Sequence, residues 1–484
     1  MKHFAASLFF ALALTVNAQT NTTRVMSLQD CFTEALQHNL DLQVVRYVPQ
    51  ISLYELYSAY AGYDPGFNLS GEHSHSRSGG DFGTNGVPFA NNNFFSSSLG
   101  GILPSGMTYG LAGSVSDATT SDSSGGSAGV SVSQPLLKNF WTDGNRLSIA
   151  LAKNSVKISE QSVRQQLIST VTQVENAFYE LIYARENVNV QQQALDLAQK
   201  QLADDKQRVQ IKVMAELGGT IEQDEAQVAQ SRASLISAQF GVVSAQNALK
   251  NLITDNYRQW HDVDIIPSAS MEAVREFFDL QSSWSKGMTQ RPDLIQAKID
   301  AEQQGIQLKY SYNQLFPELD LTGSYGFNGA GQEFSDSLGQ VRTGNRPYYT
   351  YGFSFSIPLS NARARNSYKT SKATQSQVVL RLKQIEQNVM VDIDNAVKQA
   401  QSAWESLEAT RSARVSAEAA LKAEQGKYNA GKSTTFTVLQ LQNRVTSARS
   451  QEIRSVANYN EALTRLALQE GSTLERRQID FKVK

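Results

Sequence analysis

Two short stretches, PGFNLSG (Pro65–Gly71) and PELDLTG (Pro317–Gly323), answer one another along the chain, and their relation decides the fold. At the same offset of 252 positions (Pro65 to Pro317), Asp41-Leu42 answers Asp293-Leu294. Downstream, SVSQPL (Ser131–Leu136) answers SFSIPL (Ser354–Leu359), and VENA (Val174–Ala177) answers IDNA (Ile393–Ala396). TIEQDEAQVAQSR (Thr220–Arg232) answers TVLQLQNRVTSAR (Thr437–Arg449). An internal repeat sets the architecture before any single element is assigned. Each copy reads helix, Pro-marked strand, loop, strand, very long helix, turn, helix, so the class is α+β with one unit written twice.

Proline placement agrees. All ten prolines lie outside 136–266 and 359–484, where one would kink or end a helix. Inside those spans the apolar rhythm is sevenfold. Leu167, Val174, Leu181, Val188, Leu195, Leu202 and Val209 form one row, and Ile221, Val228, Leu235, Val242 and Leu249 another. Alanines sit three positions on, at Ala177, Ala184, Ala198, Ala238 and Ala245. A sustained period of seven keeps a narrow seam against a partner helix. From about Leu151 to Lys212 it predicts ~90 Å of helix, too long for the inside of a compact globule. The second half is less pure, with Ile393, Ala400, Leu407, Arg414, Leu421 and Tyr428 in its row; Arg414 argues against a dry zipper there.

Between the helical spans the period is two. In PYYTYGFSFSIP (Pro347–Pro358), Tyr349, Tyr351, Phe353, Phe355 and Ile357 fall on one face, and Thr350, Gly352, Ser354 and Ser356 on the other. Leu319, Leu321, Tyr325 and Phe327 alternate with Asp320, Thr322, Ser324 and Asn328. Such a face fits lipid outside a barrel with a wet lumen; half-buried strands of a soluble sheet would alternate in the same way. The Gly/Ser/Asn-rich stretch 72–129 reads as a long exposed loop, with a candidate hairpin around Leu99–Val115 whose membership of the sheet stays open. Two strands per repeat give four per chain, whereas a closed membrane barrel needs at least about eight. A barrel would therefore be shared between copies.

The formal net charge is −2 with both signs interspersed, which leaves no basic footprint for nucleic acid. Met1–Ala18 reads as a secretory signal: Lys2, an apolar core Leu8–Val16, and Val16-Asn17-Ala18 as the cleavage site, with the mature chain expected from Gln19. The single cysteine, Cys31, forms no internal disulfide; within SLQDCFTEALQHN it reads as a small buried apolar residue. GGSAG (Gly125–Gly129) matches G-x-S-x-G, but a loop precedes it and a strand follows, the reverse of a nucleophile elbow. His73 and His75 share a strand face without a third ligand at metal spacing, and His38 and His261 are isolated. No catalytic or cofactor-binding constellation emerges, and the reading is not an enzyme.

The duplicated unit, the QPLL and IPLS boundaries, RPDLIQAK followed by FPELDLTGSY, and KYNAGKSTTFTVLQ (Lys427–Gln440) together resemble the TolC family of outer-membrane efflux proteins. The resemblance runs through nearly all of the mature chain. It implies a homotrimer with a shared twelve-stranded β-barrel in the outer membrane, continued by a periplasmic α-helical coiled-coil barrel. The parts would be a first repeat at 19–250 (strands and extracellular loop about 66–135, long hairpin about 145–253), an equatorial linker at 251–290, a second repeat at 291–470 (strands about 317–358, hairpin about 362–468) and a tail at 471–484. The function implied is the exit duct of a tripartite efflux pump or a type I secretion system, with a periplasmic adaptor and an inner-membrane transporter as partners. Hairpin tips that dock on the adaptor would carry Lys212, Gly218, Gly219, Asn429, Gly431 and Lys432. Tyr428 matches a tyrosine of the family's closing network; its partner cation falls at Ser433, and the acidic entrance rings fall at Thr437, Gln440 and Thr220. Tyr325, Phe327, Tyr349, Tyr351, Phe353 and Phe355 would face outer-membrane lipid. The rival is a secreted coiled-coil scaffold or adhesin that never enters a membrane.

Overall fold

A computed structural model describes residues 23–77, 89–118, 123–210 and 220–479. Its elements in chain order are β1 (Thr23–Met26), α1 (Leu28–His38), α2 (Leu40–Tyr60), β2 (Gly66–Arg77), β3 (Phe89–Ile102), β4 (Thr108–Ala118), β5 (Ser123–Pro135), α3 (Gly144–Gln210), α4 (Thr220–Ile253), α5 (Tyr257–Trp260) and β6 (Asp264–Pro267). Then follow α6 (Leu280–Gln290), α7 (Pro292–Asn313), β7 (Glu318–Gly331), α8 (Phe334–Thr343), β8 (Pro347–Ser356), α9 (Ala362–Asn429), α10 (Thr435–Glu470) and α11 (Thr473–Arg476). Contacts divide the chain into two units. One takes in residues up to Val44, Gln166–Gly287 and those from Val391 on; the other takes in Val45–Gln165 and Met288–Met390.

The first unit is helical, with a two-stranded parallel sheet of β1 and β6. The heptad rows supply its core. Leu167, Val174, Leu181 and Leu249 are fully buried and pack with Phe32, Leu42, Ile253 and Ile265. Cys31 lies in the same cluster, where burial pushes its thiol up to about 12 and keeps it a neutral apolar group. In the second half of the sequence Ile393, Ala400 and Leu407 are equally buried. Arg414 breaks the apolar row because α10 offers it a counter-charge: it pairs with Glu452, and with Glu418 at 3.0 Å on its own helix. Arg449 reaches the same Glu418 at 2.8 Å. Among the described residues no helix is long and apolar enough to cross a membrane.

The second unit carries one antiparallel sheet in the order β2-β3-β4-β5-β7-β8. Here the count of two strands per repeat is corrected: the first repeat supplies four. The stretch expected to be mostly loop contains β3 and β4, paired from Asn92↔Ala118 to Ile102↔Thr108. Runs of Ser, Asn and Gly hid them, because residues so poor in β-branching carry a weak strand signal. The turn between them is pinned. Gly106 adopts φ +85°, and a Cβ there would come within 2.6 Å of the Asn139 carbonyl, so glycine fits where the turn meets the segment after β5.

Residues directly opposite one another share a face, and one face carries an apolar row across the whole sheet. Along it run Phe67, Leu99, Leu111, Val130, Tyr325 and Tyr349, each the ladder partner of the next. Tyr349, Tyr351, Phe353 and Phe355 stand exposed there, Tyr351 at 85%. Phe327 is half-buried. The other face is mostly small and polar apart from Phe94 and Tyr348, with side-chain bonds Ser70–Ser96 at 2.7 Å, Ser114–Ser127 at 3.0 Å and Ser324–Thr350 at 2.5 Å. GGSAG lies inside β5, so its serine occupies a ladder rather than an elbow. His73 and His75 bond across the β2–β3 ladder to Asn93 and Asn91.

Helix α8 lies on the sheet by way of glycines. A Cβ at Gly329 would fall 2.0 Å from the Ser337 carbonyl oxygen. Gly329→Ala should therefore lift α8 from β7, read as faster proteolytic cleavage within 334–343.

Candidate functional site: the paired hairpin tips

The helix broken at KYNAGKSTTFT ends in a glycine-based cap. α9 stops at Asn429; the Gly431 N–H bonds the Tyr428 carbonyl at 3.0 Å and the Lys432 N–H bonds the Lys427 carbonyl at 2.9 Å. This is the Schellman pattern, in which a left-handed residue satisfies the last carbonyls; Gly431 has φ +70°. Helix α10 restarts at once because Thr434 caps it, its side chain accepting from the Thr437 N–H. The chain thus reverses within five residues, from Ala430 to Thr434.

The hairpin of α9 and α10 is bolted to that of α3 and α4 through a buried acid. Asp205 on α3 has no exposed surface. It accepts from the Tyr428 hydroxyl at 2.6 Å, from Thr435 at 3.1 Å and from Gln201 at 2.9 Å. Burial, and then the bond to Asp205, push the Tyr428 phenol up to about 12, so it remains a donor. The Arg208 guanidinium lies over the Tyr428 ring at 4.8 Å and donates to Asn429 at 2.7 Å.

A second acid, Asp224 on α4, is 1% exposed, and none of the described residues donates to either of its oxygens. Its neighbour is the Asp205 carboxyl. Burial, and then the Asp205 charge beside it, push Asp224 up to about 7. Asp205 already accepts from three donors and Asp224 from none of the described residues, so burial favours the protonated form of Asp224. Other charges at the tips are paired: Lys206 with Glu225 at 2.8 Å and Lys427 with Glu424 at 2.8 Å.

The residues expected from sequence are only partly brought together. Tyr428 lies in the network and also packs in the seam with Leu421, Val438 and Val445. Ser433, at the expected cation position, donates to Glu424 at 2.5 Å instead. Thr437 bonds the Thr434 hydroxyl at 3.0 Å, and Gln440 is exposed. Asn429, Gly431 and Lys432 are exposed on the turn. Thr220 opens α4; Lys212, Gly218 and Gly219 lie outside the described residues. Asp205, Asp224, Gln201, Arg208 and Thr435 were not singled out from the sequence. A signal for the two acids was present: Asp205 continues the alanine row of Ala184 and Ala198, and Asp224 that of Ala238 and Ala245. An acid at a seam position announces a buried carboxyl.

The chain matches the family model described as outer membrane efflux protein over residues 32–254 and 285–472. No curated protein sequence matches it. Among solved structures, its fold is similar to the Campylobacter jejuni CmeC outer membrane channel, at 15% identity over 92% of this chain and 86% of that one, TM-score 0.68. It is similar to VceC of Vibrio cholerae, at 17% identity over 92% and 96%, TM-score 0.67. It is also similar to the open state of the Neisseria gonorrhoeae MtrE channel, at 18% identity over 92% and 89%, TM-score 0.65. The chain belongs to the outer membrane efflux protein family, whose members are transport channels in the outer membrane of Gram-negative bacteria, extend into the periplasm, and work as homotrimers with adaptor proteins and inner-membrane pumps. The scaffold or adhesin alternative finds no support in these matches.

Proposed function

We propose that three copies of this chain form the passive exit duct of a tripartite efflux pump, shut at its periplasmic tips by the Asp205–Asp224–Tyr428–Thr435 cluster. The observation that carries the reading is that buried Asp205 on α3 bonds Tyr428 on α9 and Thr435 on α10, with buried Asp224 of α4 beside it. An adaptor gripping the exposed turn at Asn429, Gly431 and Lys432, together with Lys212, Gly218 and Gly219 of the other tip, would draw these helices apart. The sheet's aromatic face would meet lipid and its serine face the cargo. An inner-membrane transporter supplies the energy, and nothing is done chemically to the cargo.

Tyr428→Phe removes the 2.6 Å bond to Asp205 while keeping the ring in its seam. The purified trimer in planar bilayers should then conduct more at rest than the wild type; unchanged conductance would exclude the latch. Gly431→Val places a β-branched residue in the left-handed region, at a cost of at least about 1–2 kcal/mol. A Cβ there meets nothing within 4 Å, so only the turn is strained. Export in cells should fall while the trimer still assembles.

A further inference from the structure

We propose that the membrane wall of this duct has eighteen strands rather than twelve. The inference rests on the homotrimeric duct described above and adds the size of its mouth. Six strands in each of three copies make eighteen, if all six stand in the wall. Three observations say that they do.

First, the pair β3–β4 sits inside the sheet, not beside it: β2 bonds β3 along the full length of β2, from Gly66↔Gly100 to Arg77↔Phe89, and β4 bonds β5 from Thr108↔Ser133 to Ala118↔Ser123. In this sheet β2 has β3 as its neighbour, and β5 has β4 on one side and β7 on the other. Second, the pair spans the sheet from end to end. β3 has 14 residues and β4 has 11, against the roughly 9–11 that a tilted membrane strand requires. Its turn reaches the end from which α3 departs, where the Ser105 carbonyl accepts from the Trp141 N–H at 3.5 Å and Arg146 donates to the Pro104 carbonyl at 2.7 Å. Third, the pair repeats the chemistry of the other four strands on the same faces. Phe95, Leu99 and Leu111 continue the exposed apolar face, and Ser96, Ser98 and Ser114 continue the polar one, where Phe94 is the apolar exception. A hairpin folded over the mouth or into the lumen would have no use for a face that matches its neighbours so closely.

Closure follows from direction. With six successive antiparallel strands, β8 runs opposite to β2. Each of these two has a neighbour on one side only within the chain, and unpaired edges are a liability that a second copy removes. β8 of one copy can therefore continue antiparallel onto β2 of the next, three times round. Barrel diameter grows roughly linearly with strand number, so the mouth would be about half as wide again as a twelve-stranded one. Barrels of 16–18 strands hold an open aqueous channel. Its cargo would accordingly be limited at the helical tips and not at the membrane.

Electron cryomicroscopy of the trimer in lipid nanodiscs tests this directly. Eighteen strands in cross-section support it; a twelve-stranded trimer with β3–β4 outside the wall overturns it and leaves the duct reading intact. A particle that is not trimeric overturns both. Cysteine labelling gives an independent arm, with the buried Cys31 as a silent background. In vesicles, a membrane-impermeant maleimide should label Ser98→Cys and Ser114→Cys at least tenfold faster than Leu99→Cys and Leu111→Cys. Equal rates at all four positions would overturn the placement.

Discussion

Asp224→Asn is expected to keep the tips shut at every pH, whereas the wild-type duct should open more readily as pH rises. In the closed tips Asp224 titrates near 7; released to water it would titrate near the ordinary aspartate value of about 3.9. Between those values the closed form holds one more proton than the open form. Closure is therefore most stable below about pH 4, weakens about tenfold per pH unit up to about 7, and is constant above that. The groups around the site do not alter the sign. Arg208 stands over Tyr428, and Lys206, Glu225, Lys427 and Glu424 are paired with one another. Asparagine is uncharged, as the protonated acid is. Resting conductance of trimers in planar bilayers from pH 5 to 8 should rise in the wild type and stay flat and low in the variant. A wild type whose conductance ignores pH, or a variant that keeps the same slope, would refute the protonation of Asp224 in the closed tips.

Arg477→Ala should produce the largest loss of stability. Glu175 on α3 is 1% exposed and is held by Arg477, whose Nε donates at 3.0 Å and whose Nη2 donates to the other oxygen. Thr464 on α10 adds a bond of 2.7 Å and Tyr179 one of 3.2 Å. Removing the guanidinium leaves a buried carboxylate with hydroxyl partners alone, at a cost of about 3–5 kcal/mol. Thermal unfolding followed by circular dichroism should shift down by several degrees. The double variant Glu175→Gln/Arg477→Met should recover much of the loss, because no uncompensated charge remains. If Arg477→Ala unfolds with the wild type, the pair is not what anchors the segment after α10.

How much of this was legible in the sequence depended on which force wrote each part. Seam packing wrote the long helices, and a period of seven in Leu167–Val209 is hard to mistake. Lipid-type alternation wrote β7 and β8, where Tyr and Phe recur at every second place. The same alternation in β3 and β4 is carried by Phe95, Leu99 and Leu111 among serines, asparagines and glycines, so turn propensity masked it. At the tips, a position-by-position expectation placed a cation at Ser433, whereas the chain solves the same problem differently. It sets two acids on the alanine rows, and the Tyr428 and Thr435 hydroxyls donate to one of them. Hydrogen-bond partners on separate helices, such as Asp205 and Tyr428, are distant in sequence and meet only after folding.

The placement of β3–β4 between β2 and β5 has a consequence for how such chains diverge. Strands added in twos leave the direction of everything after them unchanged, so α3 still departs from the end of the sheet where it would have departed without them. A single added strand would send the following helices out of the opposite side. Parity thus makes the mouth a separately adjustable part: its girth can change by a local insertion while the helical repeats, and whatever they dock onto, keep their geometry. The mismatch between a duplicated helical body and an unduplicated hairpin is the trace such an insertion leaves behind.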